Sequence, residues 1–75
     1  MEIKIIGTDC SNGMKLLKMV TKAIEKIEKK VDIKYLKKDK KYGITNYPAL
    51  VINNIVVSCG KVLTEREIKR LLLSN

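Results

Sequence analysis

The chain has 75 residues, 45% of them apolar and 32% charged, with a formal charge of +8 at pH 7. That length reads as one domain over residues 1–75, globular rather than disordered, at a size where a single core rarely supplies more than roughly 3–5 kcal/mol of net stability. No apolar run approaches the roughly 18 residues of a membrane span, and the absence of histidine excludes Ser–His and Cys–His catalysis and the usual zinc sites.

Residues 2–6 alternate polar and isoleucine positions before adding Ile6, which predicts a short strand with one buried face. Residues 7–13 are turn formers, and Ser11 or Asn12 is the expected helix N-cap. From Met14 the apolar period becomes three to four. Leu17, Val20, Ile24 and Ile27 form one stripe and lysines fill the other side, predicting an amphipathic helix of about four turns. Val31, Ile33 and Tyr35 then alternate with Asp32 and Lys34 as a second strand. Strand, helix and strand in this compact order make a parallel βαβ unit.

Residues 37–46 are polar and basic around Gly43. Pro48 opens the apolar strand 49–52, where proline is tolerated because a first residue need not donate to the ladder. Asn53-Asn54 is a two-residue connection that accepts positive φ, and residues 55–58 return as the antiparallel partner. Gly60 breaks the chain. Thr64 with Glu67 forms a capping box for a last helix that turns Ile68, Leu71 and Leu72 inward.

The basic residues point to no particular partner. Lysines are scattered through every element, with a modest cluster at Lys37, Lys38, Lys40 and Lys41, and Arg66 and Arg70 are the only arginines. Aromatics do not interleave with them as in single-strand binders, so a solvated surface is expected rather than a nucleic-acid interface. With neither a membrane segment nor a signal-peptide pattern at residues 1–7, a cytoplasmic protein with no membrane partner is expected. Two cysteines are too few for a secreted disulfide framework.

Thiol chemistry remains. Cys10 falls between a strand end and a helix start, where unpaired N–H groups and the helix dipole favour a thiolate and Lys15 adds positive charge. The plain alternative is a small residue tolerated in a turn.

A strand–loop–Cys10–x–x–x–helix opening, a Tyr47-Pro48 step into an apolar hairpin, and Gly60 before a capped helix occur here in one order. In this the chain resembles the thioredoxin/glutaredoxin superfamily, and most of all its small prokaryotic redox-active disulfide proteins. The likeness spans essentially the whole chain and is strongest in residues 5–10, 48–52 and 57–62. It implies an α/β fold of order β-α-β-loop-β-β-α, with a four-stranded mixed sheet ordered 2-1-3-4 and helices on both faces. It implies a cis peptide at Tyr47-Pro48, beside which an extended substrate or glutathione pairs with the backbone. It further implies Cys10 as the nucleophile, with Ser11, Asn12, Gly13, Tyr47, Pro48 and Gly60 around the substrate, and neither a cofactor nor a metal.

One departure matters. Gly13 stands where the second cysteine of a Cys-x-x-Cys pair belongs, and the dithiol mechanism needs that second thiol to release the mixed disulfide. A single-thiol protein exchanging with a low-molecular-weight or protein thiol or disulfide is therefore expected. The alternative is a catalytically degenerate module that binds an extended peptide or thiol partner. Cys59 is the candidate substitute for the missing thiol. The topology returns it to the same sheet edge two strands away, at on the order of 10 Å, so pairing with Cys10 requires the loop to move. An iron–sulfur role is disfavoured, because Cys10-Ser11-Asn12-Gly13 does not match the Cys-Gly-Phe-Ser signature of monothiol glutaredoxins.

Overall fold

A computed structural model describes residues 1–7, 11–27 and 29–74. Strand β1 (Glu2–Ile6) is followed by helix α1 (Ser11–Lys26) and strand β2 (Asp32–Leu36). A 3-10 turn (Lys40–Tyr42), strands β3 (Ala49–Ile52) and β4 (Ile55–Cys59), and helix α2 (Glu65–Ser74) complete the chain. The strands form one sheet in the order β2-β1-β3-β4. β1 runs parallel to β2 and antiparallel to β3, and β3 runs antiparallel to β4.

Composition explains which strands are central. β1 contributes Ile3, Ile5 and Ile6, and β3 is apolar throughout; all of these residues are buried. β2 and β4 carry charged or exposed positions and lie at the edges. Lys34 on the β2 edge discourages pairing with another sheet.

Both α-helices lie on one face. Leu16, Val20 and Ala23 of α1, with Ile27 just beyond it, join Ile68 and Leu72 of α2 over Ile3, Ile5, Leu50 and Ile52. The buried stripe of α1 thus runs one residue earlier than the expected Leu17 and Ile24. Those two are half-buried flanks against the same core, which α1 shares with α2. The opposite face has no α-helix among the described residues. Tyr42, Ile44 and Tyr47 from the 3-10 turn and its following loop pack there on Ile6, Ala49 and Val51. Helical cover of both faces is therefore realised as two α-helices on one side and a single 3-10 turn on the other.

Local polar groups fasten these layers. Asn53 and Asn54 adopt φ of 49° and 68°, as the two-residue connection requires. Asn53 Oδ1 accepts from the Glu2 backbone N–H at 3.0 Å, which ties the turn to the start of β1. Lys4 Nζ donates to Tyr42 Oη at 3.0 Å, and Tyr42 Oη donates to Asn54 Oδ1 at 3.1 Å. The Tyr42 hydroxyl, helped by the charges of Glu2 and Asp39, holds the Lys4 ammonium above its ordinary pKa despite partial burial. Lys26 and Glu65 join the two helices through a 2.9 Å ion pair at the surface.

The start of α2 is a capping box. The Glu67 N–H donates to Thr64 Oγ1 at 3.2 Å, and the Thr64 N–H donates back to Glu67 Oε1 at 3.2 Å. Thr64→Ala is expected to destabilise the fold by about 1 kcal/mol in urea denaturation. The Thr64 backbone N–H, followed by its hydroxyl, holds the Glu67 carboxyl below its ordinary value. A depressed carboxyl stabilises the fold above the unfolded value of about 4.3, and that contribution is lost as pH falls through the folded value. The native protein should thus exceed Glu67→Gln in melting temperature near neutral pH and converge on it in acid. A gap that persists in acid would remove this assignment.

Candidate functional site

The strand ends determine where a site can form. Leu36 pairs with Ile6, Ile6 with Ala49, and Ala49 with Cys59, giving one row across the sheet at the C-terminal end of β1. Beyond this row lie Gly7, the start of α1, Pro48 and Gly60. The expected site residues that the structure describes are therefore gathered at one sheet edge. Cys10, the expected nucleophile, lies outside the described residues together with Thr8 and Asp9.

What surrounds that segment is described. Ser11 and Asn12 already lie within α1, so neither is its N-cap. The expected cap lies too late because Gly13, which reads in sequence as part of the turn, is already packed inside the first helical turn. Ser11 and Asn12 are exposed and Gly13 is buried. The first turn of α1 carries no acidic residue, so nothing of its own neutralises the positive end of the helix dipole.

Gly7 and Gly13 face each other with the Tyr35 hydroxyl against both. A Cβ on Gly13 would overlap Tyr35 Oη and stand 3.0 Å from Gly7 Cα and 3.3 Å from the Gly7 carbonyl oxygen. A Cβ on Gly7 would likewise overlap Tyr35 Oη and stand 2.9 Å from Tyr35 Cζ and 3.0 Å from Gly13 Cα. Tyr35 arrives there because it pairs with Ile5 on the parallel β2 strand and packs at the margin of the helix-side core. The Gly7 N–H donates to the Leu36 carbonyl at 2.9 Å and carries the strand pairing one residue further.

On the other side of β1, the Tyr47-Pro48 peptide is cis and Pro48 is buried. The Pro48 carbonyl accepts from the Gly60 N–H at 2.9 Å. Gly60 takes φ +80°, and a Cβ there would meet Asn46 Cβ at 3.2 Å. The side chain of Tyr47 serves the second-face core, where its hydroxyl donates to the Ile44 carbonyl at 3.2 Å. Cys59 is a free, exposed thiol at the end of β4. Two pairing steps of about 5 Å each put its Cα roughly 10 Å from that of Ile6.

Tyr35 and Gly7 are the residues that sequence reasoning passed over. Tyr35 reads as one more alternating strand position and Gly7 as one of the turn formers after β1. The available signal was a lone large aromatic in a βαβ unit whose loop is bracketed by two glycines.

Other surface features stand apart from this edge. A depression of about 500 Å³ lies along α2 between Arg66, Lys69, Arg70, Leu73 and Ser74 and includes none of the expected site residues. Among the described residues no group of three or more potential metal ligands occurs, and no helix is long and apolar enough to cross a membrane.

Comparison with known families matches residues 1–73 to the thioredoxin domain. A search among curated proteins gives no match.

The glycine geometry predicts a graded response. Gly43 also has positive φ, at +61°, but a Cβ there would meet nothing within 4 Å. Gly43→Ala should therefore cost only the left-handed backbone penalty, about 1–2 kcal/mol. Gly60→Ala should cost more, because Asn46 must also move. Equal losses in urea denaturation would show that the contact with Asn46 gives way freely.

Proposed function

Because the chain belongs to the thioredoxin-domain family, we propose that it is a thiol–disulfide redox protein that works through one thiol, Cys10. The supporting observation is the arrangement of the sheet edge. α1 starts immediately after Cys10 in sequence, with no acidic residue in its first turn, at the edge where Pro48 and Gly60 also lie. A helix N-terminus stabilises a thiolate over a thiol, because its N–H groups and dipole interact with the charged form.

The chemistry follows from one sulfur. The Cys10 thiolate attacks one sulfur of a disulfide R–S–S–R; a new bond joins Cys10 Sγ to that sulfur, and RS⁻ leaves. A second, external thiolate then attacks the R sulfur of the mixed disulfide, which expels the Cys10 thiolate and forms a disulfide between R and the incoming group. Electrons balance at each step. No thiol at position 13 takes part, and Cys59 lies two strands away. The partner class is a low-molecular-weight or protein disulfide. Ser11, Asn12, Gly13, Tyr47, Pro48 and Gly60 are proposed to line its path, with Tyr47 contributing backbone rather than its occupied ring. A cytoplasmic location fits a chain that relies on a free thiol.

The test is incubation with oxidised glutathione followed by intact-protein mass spectrometry. A single glutathione adduct should form on the native protein and on Cys59→Ser, and should be lost in Cys10→Ser. The midpoint of a pH titration of Cys10 alkylation should lie below the free-thiol value of about 8.5. A Cys10 that forms no adduct and titrates at or above that value would overturn the redox reading in favour of a binding module on the same frame.

A further inference from the structure

We propose that Tyr35 is a positioning residue that occupies the space of a second thiol: its hydroxyl fills the notch between Gly7 and Gly13 and opposes any side chain at position 13. The chemical consequence rests on the single-thiol reading above, whereas the packing lock does not.

Three observations carry it. First, the notch is closed from both sides, since an added Cβ on either glycine overlaps the same Tyr35 Oη. Second, the two glycine backbones approach so closely that a Cβ on either would stand 3.0 Å from the other's Cα. A side chain at position 13 therefore also needs the Gly7 backbone to give by a few tenths of an ångström. Third, moving the Tyr35 hydroxyl out of the notch would disturb a ring that is half-buried against the helix-side core, on a strand paired residue for residue with β1 from Glu2 to Ile6. The absence of a cysteine at position 13 is thus matched by a group on another strand that takes up its volume. Restoring the thiol without changing Tyr35 does not restore the site.

The two glycines differ in a way that makes the proposal testable. At position 13 the only Tyr35 atom among the three nearest is Oη, whereas at position 7 the ring carbon Cζ also lies at 2.9 Å. Removing the hydroxyl should therefore relieve position 13 but not position 7. Gly13→Ala alone should lower the melting temperature by about 5–15 °C. In Gly13→Ala/Tyr35→Phe at least half of that loss should return, measured against Tyr35→Phe alone. Gly7→Ala should gain no comparable relief from Tyr35→Phe. Additive losses at position 13, or equal relief at both positions, would overturn the lock.

A second readout follows the sulfur chemistry. With oxidised glutathione as oxidant, Cys10 and a thiol introduced by Gly13→Cys can form an internal disulfide and release two reduced glutathiones. This should proceed at least about tenfold faster in Gly13→Cys/Tyr35→Phe than in Gly13→Cys, read as the loss of two hydrogens by mass. Equal rates in the two variants would overturn the exclusion of a second thiol. Should Cys10 prove inert, the redox reading falls, and the melting-temperature cycle still decides the lock.

Discussion

The pairing row Leu36, Ile6, Ala49 and Cys59 is the constraint on which this molecule depends. β1 and β3 are covered on both faces, so a one-residue slip would send every side chain to the wrong side. Ile6 and Ala49 would leave the second-face core, and the part-buried Lys4 would lose Tyr42. Burial thus fixes register, and register fixes which segments meet beyond the row. Gly7, Pro48 and Gly60 lie together because three strands end or begin there. The Gly7–Leu36 and Gly60–Pro48 hydrogen bonds extend that order past the strands.

Features governed by neighbours along the chain are legible in the amino-acid sequence. The alternation of residues 2–6, the unbroken apolar run of β3, the asparagine pair at positive φ and the Thr64–Glu67 box each depend on a few adjacent residues. Features governed by distant partners are not. Gly13, which reads as a turn former, is buried against Gly7 inside α1, and the buried stripe of α1 faces a core that it shares with α2. The segment 37–46 reads as polar and basic, yet its Tyr42 and Ile44, with Tyr47 just beyond, form the cover of the second face. A charged stretch with a few apolar side chains gives no periodic signal, because only those few need to touch the sheet.

The candidate site divides along the same line. That Pro48 and Gly60 share one edge with the start of α1 follows from strand order and resemblance. That Tyr47 turns its ring into the second-face core, and that Tyr35 reaches the notch between two glycines, are matters of side-chain direction set by packing. Sequence spacing identifies residues that share an edge. It does not tell which of them the core has already claimed.

The occupied notch also bears on how long a mixed disulfide would last. A resolving thiol on the same helix turn acts intramolecularly, and well-oriented intramolecular reactions reach effective molarities of about 10⁵ M and above. If Cys10 acts as the single thiol, then with Tyr35 at that place and Cys59 separated by two strands, release would pass to an external thiol at its ambient concentration. Under the single-thiol reading the covalent complex is then governed by the surrounding thiol pool rather than by the protein's own second sulfur. On that reading, a glycine at position 13 would make the partner's dwell time responsive to redox conditions, and the proposed Tyr35 lock would keep that position closed.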